Sequence, residues 1–342
     1  MPARSFFGID IGTYTSKVVE MSREGAGYRV LALGQVLTPK GLFSESESDI
    51  TSTVEAIKKL LSEKKIATNS VAASLPENKV FTRTITMSIL TDKELASAIR
   101  WQAEQYIPLP ITEVSLRYSV VDRYQTPQGD KMDVLLVAAP LTVVSKYMET
   151  LKKIGLNPIA LETEPIAISR VIDSPETSSA ILLDIGASDS TISVLKKNKV
   201  FFTRTISTSG DAFTRAIASE FNIQQEQARE YKSAYGMLEG QAEGKVVAAL
   251  RPVIGVIIEE IDRTIALHQN KVANDPLKRL ILVGGSALMP GMAAYMASNL
   301  NLDVEIADAW SHVLNRQDIP PEAASLSPEY ATAAGLAMMD LK

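Results

Sequence analysis

The sequence contains the same pattern twice, about half a chain apart. Near the start, apolar residues run into Asp10–Gly12, and small or hydroxyl residues and an alternating apolar segment follow. The same order recurs around Asp184–Gly186. In both copies a further apolar segment follows after a short polar turn, which is the pattern of antiparallel hairpins. A repeat of this kind predicts a duplicated fold, in which each half begins with a three-stranded meander.

Helical segments follow the meander in each half. Apolar residues recur at helical spacing in residues 53–61 of the first half and in residues 212–221, 224–235 and 246–269 of the second half. Buried strands are predicted at Val71–Leu75 and Leu280–Val283. Strands and helices that alternate in this way predict an α/β protein with two lobes that face each other across a cleft.

One stretch, residues 83–158, has no counterpart in the second half. It predicts a helix that begins with a capping box at Thr91 and Glu94, then two strands and a second helix near residues 142–154. We therefore expect an inserted α+β subdomain with its own sheet. The expected division of the chain is a first lobe at 1–82 plus 159–177, the insertion at 83–158, a second lobe at 178–210 plus 278–342, and a helical subdomain at 211–277.

Composition excludes several classes of function. The chain has no cysteine and two histidines, which excludes thiol chemistry and disfavours a histidine-based triad or metal site. Its net charge is −5 and it has no basic run, so we expect no nucleic-acid partner. No apolar run reaches the ~18–20 residues of a membrane span, and the N-terminus lacks the signal-peptide pattern. We expect a cytoplasmic protein without direct membrane insertion.

The repeated Asp-x-Gly turns carry groups that suit a phosphorylated ligand. Such a turn points successive backbone N–H groups in one direction, and Gly12 and Gly186 let the backbone approach ligand oxygens. Asp10 and Asp184 suit a hydrated magnesium ion, and Lys17 suits a terminal phosphate. One such turn also arises for structural reasons alone. The prediction of a two-sided phosphate clamp therefore depends on the pair.

A glycine pair after the strand at 279–283 is a third candidate element. Gly284 and Gly285 would let the chain pass against a flat base or a ribose, although a tight strand-to-helix turn also favours glycine. The sequence contains neither the P-loop nor the Rossmann glycine motif. Any phosphate site would therefore be of a different type.

Four segments in order resemble the actin-like ATPase superfamily. They are GIDIGTYTSK, ILLDIGASDST, ILVGGSALMPG and ATAAGLAM, in the order phosphate 1, phosphate 2, adenosine and second connecting helix. The insertion and the segment RWQAEQYIPLPITEV at 100–114 are similar to the PilM family of type IV pilus assembly proteins, which are related to FtsA. The resemblance implies an actin-like ATPase fold: two duplicated ribonuclease-H-like lobes around a nucleotide cleft, with an inserted 1C-type α+β subdomain. It also implies ATP and Mg²⁺ as ligands.

The resemblance implies site residues one by one. Glu164 would orient the attacking water as the catalytic residue, although an acidic residue there also suits a helix start. Asp10 and Asp184 would hold Mg²⁺ through water. Arg229 stands where relatives usually carry a Glu near the ribose, which leaves ribose recognition open. The nucleotide-binding residues implied are Asp10, Gly12, Thr13, Tyr14, Lys17, Asp184, Gly186, Ala187, Ser188, Lys232, Gly284, Gly285 and Ser286.

A partner is also implied by the resemblance, namely the cytoplasmic N-terminal tail of a PilN-like membrane protein. Trp101 lies off the apolar stripe of its helix, so it either contacts a partner or packs against the insertion's own sheet. With Tyr106, Ile107 and Leu109 it forms the expected partner-binding surface. The expected function is an ATP-binding assembly protein of the pilus inner-membrane platform, peripheral to the membrane through this partner. Slow ATPase activity at most, and self-association, are further expectations.

Two other functions fit the same superfamily. An FtsA-like cell-division protein would end in a linker and a basic amphipathic helix, whereas this sequence ends soon after the second connecting helix, so we expect it not to be one. A sugar or acetate kinase would need an Asp base between the lobes. No acidic candidate stands out beyond the phosphate loops and Glu164. Both stay alternatives at this point.

Overall fold

The computed structural model describes residues 5–39, 46–66, 68–127, 129–172, 179–272 and 275–340. The strands are β1 Phe7–Ile11, β2 Thr15–Glu24, β3 Gly27–Leu37, β4 Ser70–Leu75, β5 Phe81–Ser88, β6 Val114–Tyr124, β7 Lys131–Pro140, β8 Asn157–Thr163, β9 Ala180–Ile185, β10 Ser190–Lys196, β11 Lys199–Ile206, β12 Arg279–Val283 and β13 Asp303–Ile306. The helices are α1 Glu47–Glu63, α2 Asp92–Glu104, α3 Leu141–Ile154, α4 Glu164–Ile168, α5 Gly210–Phe221, α6 Gln225–Tyr235, α7 Lys245–Lys271, α8 Met292–Leu300, α9 Pro321–Ser325 and α10 Ser327–Ala337.

The sheets confirm the duplication predicted from the repeat. The first-lobe sheet has the order β3-β2-β1-β4-β8, and the second-lobe sheet has the matching order β11-β10-β9-β12-β13. Asp10 pairs with Lys17 across the first antiparallel hairpin, and Asp184 pairs with Thr191 across the second. Each central strand also has a parallel neighbour, β4 or β12. The two aspartates therefore occupy equivalent places near the ends of equivalent strands.

Three strands, β5, β8 and β13, were not predicted from the sequence. β8 and β13 are edge strands of the two lobes, and β13 is too short and too exposed to carry an apolar alternation. β5 lies in the insertion, where polar threonines alternate along the strand. Their pairing partners are distant in sequence, so local pattern alone does not indicate them.

The long helices agree with the predicted periodicity. α7 extends over 27 residues and continues through Pro252, and it buries the predicted stripe from Val247 to Ile261. α10 is buried over most of its length and packs against β1, β2 and α4. Gly335 permits this contact, because a Cβ atom there would lie 1.9 Å from the carbonyl oxygen of Ala167. α10 also contacts β12 of the second lobe, and it thus joins the two lobes at the cleft, which Glu329 and Thr332 line.

The insertion forms its own three-stranded sheet, in the order β5-β7-β6. One face of the sheet packs against α2, with Leu95 and Ile99 in a shared apolar core. The opposite face contributes Val121 and Leu135 to the core of the second lobe. The insertion is therefore joined to the first lobe by the chain and to the second lobe by packing.

The packing of α3 changes the expected boundary of the insertion. This helix was predicted to belong to the insertion, but Tyr147, Leu151 and Ile154 are buried with Phe7 in the core of the first lobe. α3 is amphipathic, and its apolar face covers the first-lobe sheet. We therefore propose an insertion of about residues 81–140 in place of 83–158. The expected boundary at 177–178 lies outside the described residues, and the other boundaries stay predictions.

Candidate functional site

A cleft of about 1030 Å³ lies between the two lobes. Its volume is at the upper end of the range for small-molecule sites, about 300–1,000 Å³. Both copies of the Asp-x-Gly turn line it, as do the glycine pair and residues of α6 and α10. Every residue implied for nucleotide binding or catalysis lines this cleft: Asp10, Gly12, Thr13, Tyr14, Lys17, Glu164, Asp184, Gly186, Ala187, Ser188, Lys232, Gly284, Gly285 and Ser286.

The two Asp-x-Gly turns have the same backbone closure and meet across the cleft. The Gly12 N–H donates to the carbonyl of Thr15 at 3.2 Å, and the Gly186 N–H donates to the carbonyl of Asp189 at 3.0 Å. At the tips, the Thr13 hydroxyl donates to the Ser188 hydroxyl at 3.4 Å. The two equivalent turns therefore lie on opposite walls of the cleft, as the predicted phosphate clamp requires.

Two half-buried carboxylates stand at the base of these turns. Asp10 accepts a hydrogen bond of 2.7 Å from the Ser74 hydroxyl, and burial raises its pKa. The pKa of Asp184 is raised to about 7, first by burial and then by the charges of Asp10 and Asp189. Each carboxylate thus disfavours ionisation of the other, and a cation between them would relieve this repulsion.

Asp10 and Asp184 are therefore suited to a divalent cation that keeps some of its water. Across the described residues, no cluster of three His, Asp or Glu side chains is arranged to hold a metal ion alone. Magnesium commonly binds through one or two carboxylates, with water and ligand phosphates completing its shell. The donor set here fits that arrangement and does not fit a closed protein site.

Lys17 is buried beside the first turn, where it contacts a carboxylate that the sequence did not indicate. Its ammonium group donates to the Thr15 hydroxyl at 2.5 Å and lies 3.3 Å from Glu329 Oε2. Glu329 lies in the first turn of α10 and also lines the cleft. Its place in the cleft depends on how α10 crosses the lobes, which no local sequence pattern reveals.

Glu164 begins α4 directly after β8, and it faces the cleft from the first lobe. Its Oε2 accepts a hydrogen bond of 3.1 Å from the backbone N–H of Glu77. Burial, followed by the charges of Asp10 and Asp184, raises the pKa of Glu164 well above its usual value. One carboxyl oxygen is thus held by the first-lobe backbone, in a site crowded with negative charge.

The second-lobe wall supplies two cations from α6. Lys232 donates to the carbonyl of Gly210 at 2.9 Å, and its pKa is lowered to about 8, first by burial and then by Arg229. The Arg229 guanidinium lies 4.5 Å from the ring centre of Tyr14 and 3.6 Å from Asp211. Arg229 therefore links the second lobe to the first lobe at the mouth of the cleft.

The glycine pair is explained partly by packing. Gly284 has φ +84°, and a Cβ atom there would lie 2.6 Å from both Asp184 Oδ1 and the Ile185 carbonyl oxygen. Only glycine permits this close approach to the second Asp-x-Gly turn. A tight backbone turn, the alternative explanation of the glycine pair, therefore accounts for Gly284. Gly284 also brings the loop to the cleft wall.

The expected partner-binding residues lie outside the cleft, on the insertion. Trp101 is 66% exposed on α2, so it does not pack against the sheet. Tyr106 is partly exposed and lies under the guanidinium of Arg83, at 4.8 Å from the ring centre. Ile107, expected on the partner-binding surface, is instead only 9% exposed and packs in the core of the insertion, while Leu109 is half-buried against it.

None of the helices in the described residues combines the length and the apolar character that crossing a bilayer requires.

Comparison with known proteins places this fold and site in context. The family model described as type IV pilus assembly protein PilM matches residues 8–341. The cell division protein FtsA of Streptococcus pneumoniae serotype 2 (strain D39 / NCTC 7466) is 23% identical over 374 residues, covering 97% of this chain and 79% of that protein. A chain of a solved PilM–PilN type IV pilus biogenesis complex is 29% identical, with a TM-score of 0.82 and 98% of both chains covered. MreB5 of Spiroplasma citri bound to ADP is 14% identical, with a TM-score of 0.53 over 97% of this chain and 95% of that chain.

Proposed function

The chain belongs to the PilM family of type IV pilus assembly proteins, and on that premise we propose that its cleft binds ATP with Mg²⁺ and that its insertion binds the cytoplasmic N-terminal tail of a PilN-like membrane protein. The fold is the actin-like α/β fold of its structural neighbours. Family membership is the premise, and the binding of the nucleotide, the metal ion and the tail is what we propose in addition.

One observation carries the nucleotide proposal, namely that the two Asp-x-Gly turns meet across one cleft. Their hydroxyl tips at Thr13 and Ser188 are in hydrogen-bond contact, so a phosphate chain that enters there would meet both lobes. MreB5, which shares the fold, has been solved with ADP. In this chain, Lys17 and the backbone of the first turn would meet the terminal phosphate.

Asp10 and Asp184 would hold Mg²⁺ through water. The ion would supply positive charge where the protein has placed two mutually repelling carboxylates. The remaining expected contacts belong to the second lobe. Lys232 would approach the ligand from α6, and the loop Gly284–Ser286 would lie against the adenosine.

Glu164 would orient the water that attacks the terminal phosphate. Its position at the cleft suits this role, and the Glu77 N–H fixes one of its two carboxyl oxygens. We expect slow hydrolysis, which is sufficient for an assembly protein that alternates between two nucleotide states.

The nucleotide proposal is tested by calorimetric titration of ATP with Mg²⁺ into the wild type and into the variants Asp10→Asn and Asp184→Asn. Each variant should bind at least about tenfold more weakly, because it loses one metal-side carboxylate without a change of shape. Asp303→Asn, an exposed carboxylate on β13, is the matched control and should bind as the wild type does. Wild-type affinity in both cleft variants would refute the assignment.

The partner proposal is supported by the PilM–PilN complex and by the exposed indole of Trp101. A large apolar side chain exposed on a helix is a typical anchor for a short peptide. Ile107 is excluded as a direct contact by its burial, so Trp101 and Tyr106 are the candidate contacts, with Leu109 at their edge. Binding of the tail would place this chain at the cytoplasmic face of the membrane through its partner.

A synthetic peptide of the PilN-like protein's cytoplasmic N-terminal tail tests this proposal by calorimetry. Trp101→Ala should weaken binding by at least about tenfold, as expected for an interface anchor. Lys93→Ala, exposed on the same helix, is the control and should have little effect. Point variants are preferable to deletion of residues 83–157, since that deletion also removes α3 from the first-lobe core. If Trp101→Ala binds the peptide with wild-type affinity, the tail binds at a different surface.

A further inference from the structure

A short turn follows β4 and leads into the insertion. This β4 turn, Pro76–Lys79, contains a 3-10 helix at Glu77–Lys79. Pro76, Asn78 and Lys79 line the cleft, whereas Glu77 is buried, with 5% of its surface exposed. The turn is therefore the place where the first lobe, the cleft and the start of β5 adjoin.

Two side chains of the β4 turn are bonded to the second lobe. Glu77 Oε1 accepts a hydrogen bond of 2.6 Å from the Thr203 hydroxyl on β11. The neighbouring Asn78 side-chain amide donates to Asp189 Oδ2 at 2.6 Å, in the loop between β9 and β10. Both bonds join a first-lobe turn to second-lobe strands or loops. A change in the separation of the lobes would stretch both of them.

The same turn is also bonded to Glu164. The backbone N–H of Glu77 donates to Glu164 Oε2 at 3.1 Å. Glu77 thus contacts the second lobe through its side chain and Glu164 through its backbone. This bond ties the position of the Glu164 carboxyl to the position of the Glu77 backbone.

Burial of the Glu77 carboxyl has a cost. Burial raises its pKa, and the hydrogen bond from the Thr203 hydroxyl opposes that rise only in part. An apolar side chain in this position would avoid the desolvation of a carboxyl group. Packing between the lobes alone therefore does not explain why a carboxyl group that bonds to Thr203 occupies this position.

We propose that Glu77 is a positioning residue, which is anchored on Thr203 of the second lobe and thereby sets the orientation of Glu164 according to the separation of the lobes. This inference rests on the proposed role of Glu164 in hydrolysis. When the lobes are together, the Glu77 N–H fixes one carboxyl oxygen of Glu164 and leaves the other for water. When they separate, the turn moves with Thr203 and Asp189, and Glu164 loses its orientation. Displacements of about 1 Å at such a group can cost about a hundredfold in rate.

The inference is tested with two disrupting variants, Glu77→Ala and Thr203→Val, of which the second keeps the shape of the side chain. ATP affinity is measured by calorimetry and hydrolysis by single-turnover assays of the full chain with Mg²⁺. Both variants should hydrolyse ATP at least about tenfold more slowly, with affinity within about threefold of the wild type. The separation of rate from affinity is what a merely structural role would not produce.

A conservative variant and a matched control accompany these two. Glu77→Gln keeps an oxygen that can accept from Thr203, so it should retain a rate within about threefold of the wild type. Thr84→Val removes the hydroxyl of β5 that donates to the Phe201 carbonyl, a bond to the same strand β11 that does not involve Glu77. It should leave both the rate and the affinity unchanged.

Several results would overturn the inference. Wild-type rates in Glu77→Ala and Thr203→Val, with Glu164→Gln inactive, would refute the role of Glu77 while leaving that of Glu164. Equal losses of affinity and rate would mean a structural role only. A wild type that binds ATP without hydrolysis, or a Glu164→Gln variant of wild-type rate, would refute the inference and leave ATP binding standing. Absence of ATP binding in the wild type would instead refute the proposed function.

Discussion

The ammonium nitrogen of Lys17 lies 3.3 Å from Oε2 of Glu329, in a largely buried pair. Lys17 belongs to the hairpin of the first Asp-x-Gly turn, and Glu329 belongs to the helix that joins the lobes. The cation expected to meet a terminal phosphate therefore already has an anionic partner. A phosphate that binds Lys17 must compete with this carboxylate or share the ammonium group with it.

Removal of the Glu329 charge should strengthen nucleotide binding. Glu329→Gln keeps the shape of the side chain but removes a negative charge beside the expected path of the phosphates. At an effective dielectric constant near 20, charges at this range interact by several kcal/mol before solvent competition, so we expect a gain of about three- to tenfold in ATP affinity. Calorimetry with Mg²⁺ present measures it, and Glu322→Gln, exposed on α9, is the control. Unchanged or weaker binding in Glu329→Gln would mean that the carboxylate does not compete with phosphate.

Lys232 should be an unusually reactive amine. Its pKa is lowered to about 8, so about half of it is neutral at pH 8, whereas an ordinary lysine with a pKa of about 10.4 is almost fully protonated there. Brief acetylation at pH 8, followed by peptide mass spectrometry, should modify Lys232 ahead of the exposed lysines. ATP with Mg²⁺ should slow its modification.

The cause of the lowered pKa can be checked with one further variant. Arg229→Gln removes the positive charge that, after burial, lowers the pKa of Lys232 most. The variant should therefore raise this pKa and slow the modification of Lys232 at pH 8. Modification of Lys232 at the rate of the exposed lysines would contradict the lowered pKa. Modification that ATP does not slow would contradict its place at the nucleotide.

With Arg229 at this place, the protein should distinguish poorly between ribose and 2′-deoxyribose nucleotides. Its guanidinium is directed towards Tyr14 and Asp211, and an arginine offers no hydrogen-bond acceptor to a ribose hydroxyl. We expect ATP and 2′-deoxyATP to bind the wild type with affinities within about twofold. Arg229→Glu should create a preference for ATP, because a carboxylate accepts hydrogen bonds from ribose hydroxyls. A strong wild-type preference for ATP would mean that other groups recognise the 2′-hydroxyl.

The docking of the insertion on the second lobe should depend on Lys196. Its ammonium group lies 3.0 Å from Asp122 and 3.5 Å from Asp133, and the three side chains are at most 12% exposed. Lys196→Met would leave these carboxylates buried without this partner, and should lower the free energy of unfolding by about 3–5 kcal/mol.

A neighbouring lysine provides the control for this prediction. Lys197 also contacts Asp122, at 2.6 Å, but it is 52% exposed. Lys197→Met should cost less than about 1 kcal/mol, as is usual for exposed ion pairs. Urea denaturation of both variants gives the comparison. Equal losses would mean that burial of the Lys196 cluster contributes nothing.

The extent to which sequence predicted this molecule depended on the range of the interactions. The meanders around Asp10 and Asp184 were predicted, because the apolar runs and the turns that form them are local. Glu77 and Glu329 were missed, since each acquires its position from packing between elements far apart in sequence. Their sequence surroundings are an ordinary turn and an ordinary helix start.

The insertion shows the same limit. The helix of Trp101 and its capping box could be predicted. The exposure of the indole was left open, because its place off the apolar stripe fits both an exposed side chain and one packed against the sheet. The burial of Ile107 could not, because it depends on how the segment after α2 folds back on the sheet. The apolar face of α3 was visible in the sequence, but nothing local indicated which of two sheets it covers.

The central claim is that one nucleotide binds between the two Asp-x-Gly turns. A crystal structure of the protein with Mg²⁺ and a non-hydrolysable ATP analogue tests this most directly. The account predicts one nucleotide per chain, with its triphosphate between the turns at Gly12–Tyr14 and Gly186–Ser188, and with its base against Gly284–Ser286. A cleft without nucleotide at saturating concentration, or a nucleotide bound outside these turns, would contradict it.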